Sequence, residues 1–345
     1  MAWSSVLPAA HSPMKLVRSG PSARRPSAAA GPAAPPDRQG GAAPDEKGQH
    51  DWLHADSWTP WIEHFENAAY APSAPERPGT PDSVDATRPN PHRVAGKGID
   101  DVVRHFTQAI SALPVQPIVI GHSFGGLIAQ RLLSAGTAVA AMAIDQGGAL
   151  RVASIALRNP ANRNRAVALT AEQFRYGFGN AVSESEASGL YERWAIPSPG
   201  RPLFEAAVAN FGPHSPAKVD TRKADRGPLL VTAGGKDHTV PAAISMATVR
   251  LYARSHAITD LRQFPDRGQS PTIDSGWRDV ANACLTWLRP LPVARNSRAR
   301  GWIAPGPDCA RRSQIRWLIR LTRQRARLGS AAGAARPQQP GWRRG

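Results

Sequence analysis

The chain has 345 residues, 41% of them hydrophobic, and a formal net charge of +17; that is enough apolar material for one large α/β domain or two small ones. Two cysteines, Cys284 and Cys309, exclude a disulfide framework, and no Cys/His group has zinc spacing, so neither metal nor cofactor is expected and a reducing, cytoplasmic compartment is the default. The longest apolar runs, such as TAVAAMAI at 137–144, are too short to cross a bilayer.

Residues 1–50 contain PSARRPSAAAGPAAPP, a composition too rich in Pro, Ala and Gly to pack, and are read as a disordered extension. The first twenty lack the continuous apolar stretch of a secretory signal. In DSWTPWIEHFENAAY (56–70) a helix is expected, with Asp56 or Ser57 as N-cap and Pro60 in its first turn. YAPSAP follows as a short strand or loop. Ile99, Val102, Val103, Phe106 and Ile110 recur at helical spacing until Pro114 stops the run. Next come a strand at 115–120, a serine-containing turn, a helix over about 124–134 and a strand at 139–145.

Residues 146–222 read as a helical insertion, where Thr170 with Gln173 and Ser183 with Glu186 have the spacing of capping boxes. GPLLVTAGG (227–235) and TDLRQFP (259–265) are further strands, and DSGWRDVANACLTWL closes the segment with Trp277, Val280, Ala281, Cys284 and Leu288 as a packing stripe. Strands alternating with helices predict a mostly parallel sheet covered on both faces. Residues 290–345 hold 13 arginines, no lysine and one acid, Asp308, whereas 51–289 is close to neutral. The charge therefore says little about the central fold. The tail has two readings: a disordered solvated extension, or, through RRSQIRWLIRLTRQRARL (311–328), a basic amphipathic helix suited to nucleic acid or an anionic surface.

The chemistry-bearing stretch is IVIGHSFGG, in which Gly121, Ser123 and Gly125 form G-x-S-x-G between an apolar strand and a helix. Such a turn forces the serine side chain out and needs small residues around it. The following helix aims its first N–H groups at the site, so the Phe124 amide is the expected oxyanion donor. His122 is read as a packing residue. Together with WLHADSWTPW, GGKDHTVP and GWRDVANACLTWL, this motif resembles the α/β-hydrolase family of serine hydrolases, in particular esterase- and lysophospholipase-like members, over about 52–288.

The resemblance implies an α/β-hydrolase fold, with 51–145 and 223–289 as its core and 146–222 as a helical cap. It also implies hydrolysis of a small-molecule ester or lipid-like substrate by a nucleophile–acid–histidine triad in that chain order. Ser123 is then the nucleophile and Asp237 the acid, with Asp145 in reserve. The histidine belongs in the loop FPDRGQSPTID, where the matching residue is Gln269. Glutamine can accept a hydrogen bond from Ser123 but cannot take its proton, so activity is expected to be impaired. His238 adjoins Asp237 and His256 precedes the last strand; neither is placed to substitute, and His50 and His54 near the oxyanion arm are no better.

Phe174, Phe178, Trp194 and Phe211, with Phe204, are the cap's large apolar groups, lining a substrate pocket or forming the cap's own core. The family also carries an apolar strand ending in His-Gly ahead of the segment like WLHADSW. Here APDEKGQHDWLHADSW has Asp51 where that glycine is expected, and PDEKGQ cannot be a buried strand, so an interior strand is expected to be missing. The alternative to an enzyme is a non-catalytic protein, holding a ligand under the cap or binding nucleic acid through its tail.

Overall fold

In the computed structural model of the chain, the described residues are 14–19, 53–146, 154, 156–209 and 214–291. Strand β1 (Met14–Ser19) comes first. After a 3-10 turn at Ala55–Trp58, helix α1 (Thr59–Asn67) carries Pro60 in its first turn, where its missing N–H costs nothing. The turn is capped by the His54 imidazole, which accepts from the Asp56 backbone N–H at 3.2 Å; neither Asp56 nor Ser57 is the cap. Then follow β2 (Tyr70–Ser73), the single turn α2 (Val84–Thr87) and α3 (Ile99–Ser111). Helix α3 buries Ile99, Val102, Phe106 and Ile110, and the Asp101 carboxylate accepts from the Gly98 N–H at its start. Strand β3 (Ile118–His122), helix α4 (Phe124–Ser134) and strand β4 (Ala140–Ile144) complete the first half.

The insertion holds β5 (Ala166–Val167), α5 (Ala171–Gly177), α6 (Glu184–Trp194), β6 (Ser198–Pro199) and α7 (Arg201–Ala207). The chain returns to the sheet with β7 (Leu229–Gly234), α8 (Ala242–Tyr252), β8 (Thr259–Phe264) and α9 (Trp277–Leu288). The main sheet runs β2-β1-β3-β4-β7-β8, with β3, β4, β7 and β8 parallel to one another. Two apolar clusters cover it. Helices α3 and α4 bury Phe106, Ile128 and Leu132 on one face, and α1 and α9 bury Trp61, Phe65, Val280 and Cys284 on the other. Strands β3 and β4 are buried at every position, which explains their uninterrupted apolar sequence.

The expected hole in the sheet is filled. Strand β1 lies between β2 and β3 and is antiparallel to both, with Leu16 opposite Ser73 on one side and Val119 on the other. The reading of 1–50 as wholly unpacked, with no strand ahead of Trp52, is thus corrected for Met14–Ser19. A six-residue segment with backbone donors and acceptors on both edges satisfies two ladders that would otherwise be open. The remaining residues of 1–50, the tail beyond Leu291 and the amphipathic stretch 311–328 lie outside the described residues. No helix among the described residues is long and apolar enough to cross a membrane.

Candidate active site

Ser123 sits between β3 and α4 with φ 53° and ψ −120°, a conformation that side chains disfavour and that the packed strand and helix impose. Its N–H donates to the Ile144 carbonyl at 2.8 Å and its carbonyl accepts from Gly126 N–H at 2.9 Å, so both of its peptide groups are fixed. The glycines are required by space: a Cβ at Gly121 would stand 1.9 Å from the Gly125 carbonyl oxygen, and one at Gly126 would stand 2.4 Å from the Gln146 Cβ. Phe124, the first residue of α4, is buried beside the serine.

Asp237 follows β7 and is buried. Its Oδ1 accepts from the N–H groups of Thr239 and Val240, each at 2.7 Å. Gln269 lies in the loop after β8 and is fully buried. Its surroundings set the amide orientation. In the one amide orientation that satisfies both neighbours, the oxygen accepts from Ser123 Oγ at 2.8 Å and the nitrogen donates to Asp237, with Oδ1 at 3.1 Å and Oδ2 closer still. Ser123, Gln269 and Asp237 therefore form one continuous chain of hydrogen bonds.

The loops hold this geometry without an imidazole. Lys236 N–H donates to the Arg267 carbonyl, and Gly235 N–H to that of Phe264. The Arg267 guanidinium meets the buried Asp274 at 3.3 Å and Asp279 at 2.6 Å. The insertion closes over the same loops: Thr239 Oγ1 donates to the Gly177 carbonyl at 2.6 Å and Asn180 Nδ2 to that of Lys236 at 2.6 Å.

Among the described residues no ion pair offsets Asp237 or Asp145. Burial and the neighbouring Asp145 carboxylate hold Asp237 well above the usual carboxylate range, against the pull of the Val240 and Thr239 amides. Asp145 directly follows β4 at φ 43°. Burial raises it to about 7, although Thr232 Oγ1 donates to its Oδ1 at 2.8 Å. The reserve acid is thus an electrostatic neighbour of Asp237.

The histidines weighed as bases stand elsewhere. His238 is exposed, its ring 5.0 Å from that of Tyr176, and His256 is exposed ahead of β8. His122 is wholly buried, and burial pushes it down to about 3, against the Gln269 backbone. His54 Nε2 lies 3.2 Å from Glu76 and 3.0 Å from the Pro81 carbonyl. Among the described residues His54, Asp56 and Glu76 bring metal-ligating atoms within 4.8 Å of one another, but both ring nitrogens already have protein partners. His50 lies outside the described residues.

Four aromatic residues of the insertion, Phe174, Phe178, Tyr191 and Trp194, gather in one apolar cluster. Phe174 and Phe178 are completely buried and stacked at 5.0 Å, within a cluster that includes Leu53, Leu190 and Leu203; Trp194 packs against it. Phe174 and Phe178 are both members of that cluster; Phe211 lies outside the described residues. Sequence reasoning missed a junction near the oxyanion arm: Leu53 bridges Ala195, and His54 N–H donates to the Trp194 carbonyl at 3.1 Å. The local sequence around Leu53 contains no signal for that pairing.

A model described as the alpha/beta hydrolase family matches residues 48–283. Among solved structures, polyneuridine aldehyde esterase aligns with a TM-score of 0.50 and 14% identity, covering 68% of this chain and 94% of that one. A methylesterase from Arabidopsis aligns at 0.48 and 15%, covering 69% and 95%. A thermophilic esterase from Thermogutta terrifontis aligns at 0.48 and 17%, covering 69% and 86%. A search of curated proteins finds no match to the chain.

Proposed function

This chain belongs to the alpha/beta hydrolase family, and from that premise we propose that it carries an ester or acyl hydrolase site able to hold a small ester or lipid-like substrate but turning it over only residually. The observation that carries this reading is the partner of the nucleophile: Ser123 Oγ donates to an amide oxygen, that of Gln269, at 2.8 Å. In an active triad the same place holds an imidazole that takes the proton as the oxygen attacks the carbonyl, then returns it to the leaving group. An amide keeps the hydrogen bond and its direction but has no basicity near neutral pH. Ser123 stays an alcohol, and Asp237 has no imidazolium to stabilise.

Removing a triad base costs on the order of 10⁶ in kcat, roughly 8 kcal/mol of barrier, while oxyanion and binding contacts sustain a residue of catalysis. Phe124 N–H is assigned the oxyanion role, and Asp237 orients the amide. A second reading rests on the same amide: a protein that retains an ester-like ligand without cleaving it. The names of the solved structures, esterases among them, agree with an ester as the ligand class.

Substituting Gln269→His tests the proposal. With p-nitrophenyl esters, the full chain should hydrolyse near background, Gln269→His should raise kcat/KM by roughly 10⁴ or more, and adding Ser123→Ala should abolish the gain. A parent protein with Ser123-dependent turnover in the ordinary enzyme range, or one labelled by a fluorophosphonate as fast as Gln269→His, would overturn the impairment. A folded Gln269→His variant without any gain would overturn the claim that the rest of the site is assembled.

A further inference from the structure

Strand β8 ends the sheet: it pairs in parallel with β7 over six residues, and among the described residues no strand lies on its other side. The Ile258 carbonyl accepts from Leu229 N–H and the Phe264 carbonyl from Gly235 N–H. The even-numbered residues thus turn their peptide groups toward β7, and Thr259, Leu261 and Gln263 turn theirs outward. Between Ile258 and Phe264 there is no proline and no glycine.

We propose that this edge pairs antiparallel with the β8 edge of a second copy of the chain, about a twofold axis at Leu261. In that register Leu261 faces Leu261 of the other copy, and Thr259 faces Gln263. These are the residues whose peptide groups point outward, so each pair exchanges hydrogen bonds in both directions. Asp260 then faces Arg262, and Arg262 faces Asp260, in the pairs where side chains approach most closely. Both are exposed here.

The charges select the register. Centring the axis on residue 260 or 262 sets two aspartates or two arginines against each other, and a parallel pairing in register does so at both positions. A charged edge ordinarily guards against association, but this one is complementary to itself. The ends agree: Ile258, 51% exposed, faces Phe264 of the other copy, at a groove between β8 and α9 lined by Leu230, Ala283, Thr286 and Trp287. Asp260 is already oriented on this face by Trp287 Nε1, which donates to its Oδ2 at 2.6 Å.

Sedimentation velocity of the full chain at micromolar concentration tests the pairing. The parent should be a dimer. Asp260→Arg alone and Arg262→Asp alone should each weaken it at least about tenfold, since each sets like charges opposite one another. An equimolar mixture of the two variants should restore the dimer, because every facing pair is then opposite in sign, and that recovery also shows that both variants fold. A monomeric parent, a dimer indifferent to either reversal, or a mixture that stays monomeric would overturn the proposal. So would a monomer in which the Leu261 and Gln263 amides are protected from exchange, which would assign the edge to another segment of the same chain.

Discussion

Gln269 copies the shape of a neutral imidazole: one face accepts from Ser123 while the other donates to Asp237. What it lacks is the ability to become a cation, and the consequence extends to the acids. Asp145 and Asp237 are buried neighbours with raised pKa values, and among the described residues neither has an ion-pair partner. A carboxyl whose folded pKa lies above its unfolded value binds more protons in the native state between the two. Stability is then greatest below the unfolded value of about 3.9 and falls as pH rises through the folded one. For Asp145 that window runs from about 4 to about 7. The expected result in urea is a midpoint that declines from pH 4 to pH 7, with a slope clearly reduced by Asp145→Asn. A midpoint that rises over this range would mean that the pair is not held protonated in the fold.

At the scale of elements, the strand–turn–helix around Ser123 depends on backbone clearance. A methyl at position 121 would meet the Gly125 carbonyl at 1.9 Å; the Cβ is fixed by its own backbone and the carbonyl is main chain, so neither can swing aside. Gly121→Ala should destabilise the protein by about 3 kcal/mol or more, read as a large drop in melting temperature; an unchanged melt would show that the turn is looser than described. The insertion shows how far a local signal reaches. Thr170 and Gln173 make the full reciprocal box, Oγ1 accepting from Gln173 N–H at 3.2 Å and Oε1 from Thr170 N–H at 2.9 Å. Ser183 caps α5's successor, α6, in the same way at 3.2 Å, but the Glu186 carboxylate turns to Ser275 N–H at 2.6 Å. Spacing predicted both helix starts, while the second glutamate's partner lies 89 residues away in sequence.

For the whole molecule, the decisive element is β1, because an interior strand supplies two ladders at once. Leu16 stands opposite Ser73 and Val119. A proline there has no N–H to donate and its ring obstructs the ladder, so Leu16→Pro should cost at least about 2 kcal/mol. The measurement is the denaturant midpoint, and an unaltered midpoint would remove β1 from the sheet. The physical stake is large, since without it β2 and β3 would present open edges inside the fold.

Short-range physics was legible along the chain: the buried strands β3, β4 and β7 in their apolar runs, helices α3, α4, α5, α6 and α9 in their spacing or caps, and the tight turn at Ser123 in its glycines, whereas α2, α7 and α8 carried no signal that was read. Gln269 stood out only through the resemblance, which sets it where the family's histidine is expected. Tertiary structure alone decided which distant segments meet: that Met14–Ser19 enters the sheet against partners some 55 and 105 residues away, that Leu53 joins Ala195, and that Asp145 lies beside Asp237. The reason is that backbone hydrogen bonding and burial are indifferent to chain separation. Any short segment with free peptide groups and the right length can close a ladder, and only the assembled surroundings select which one does.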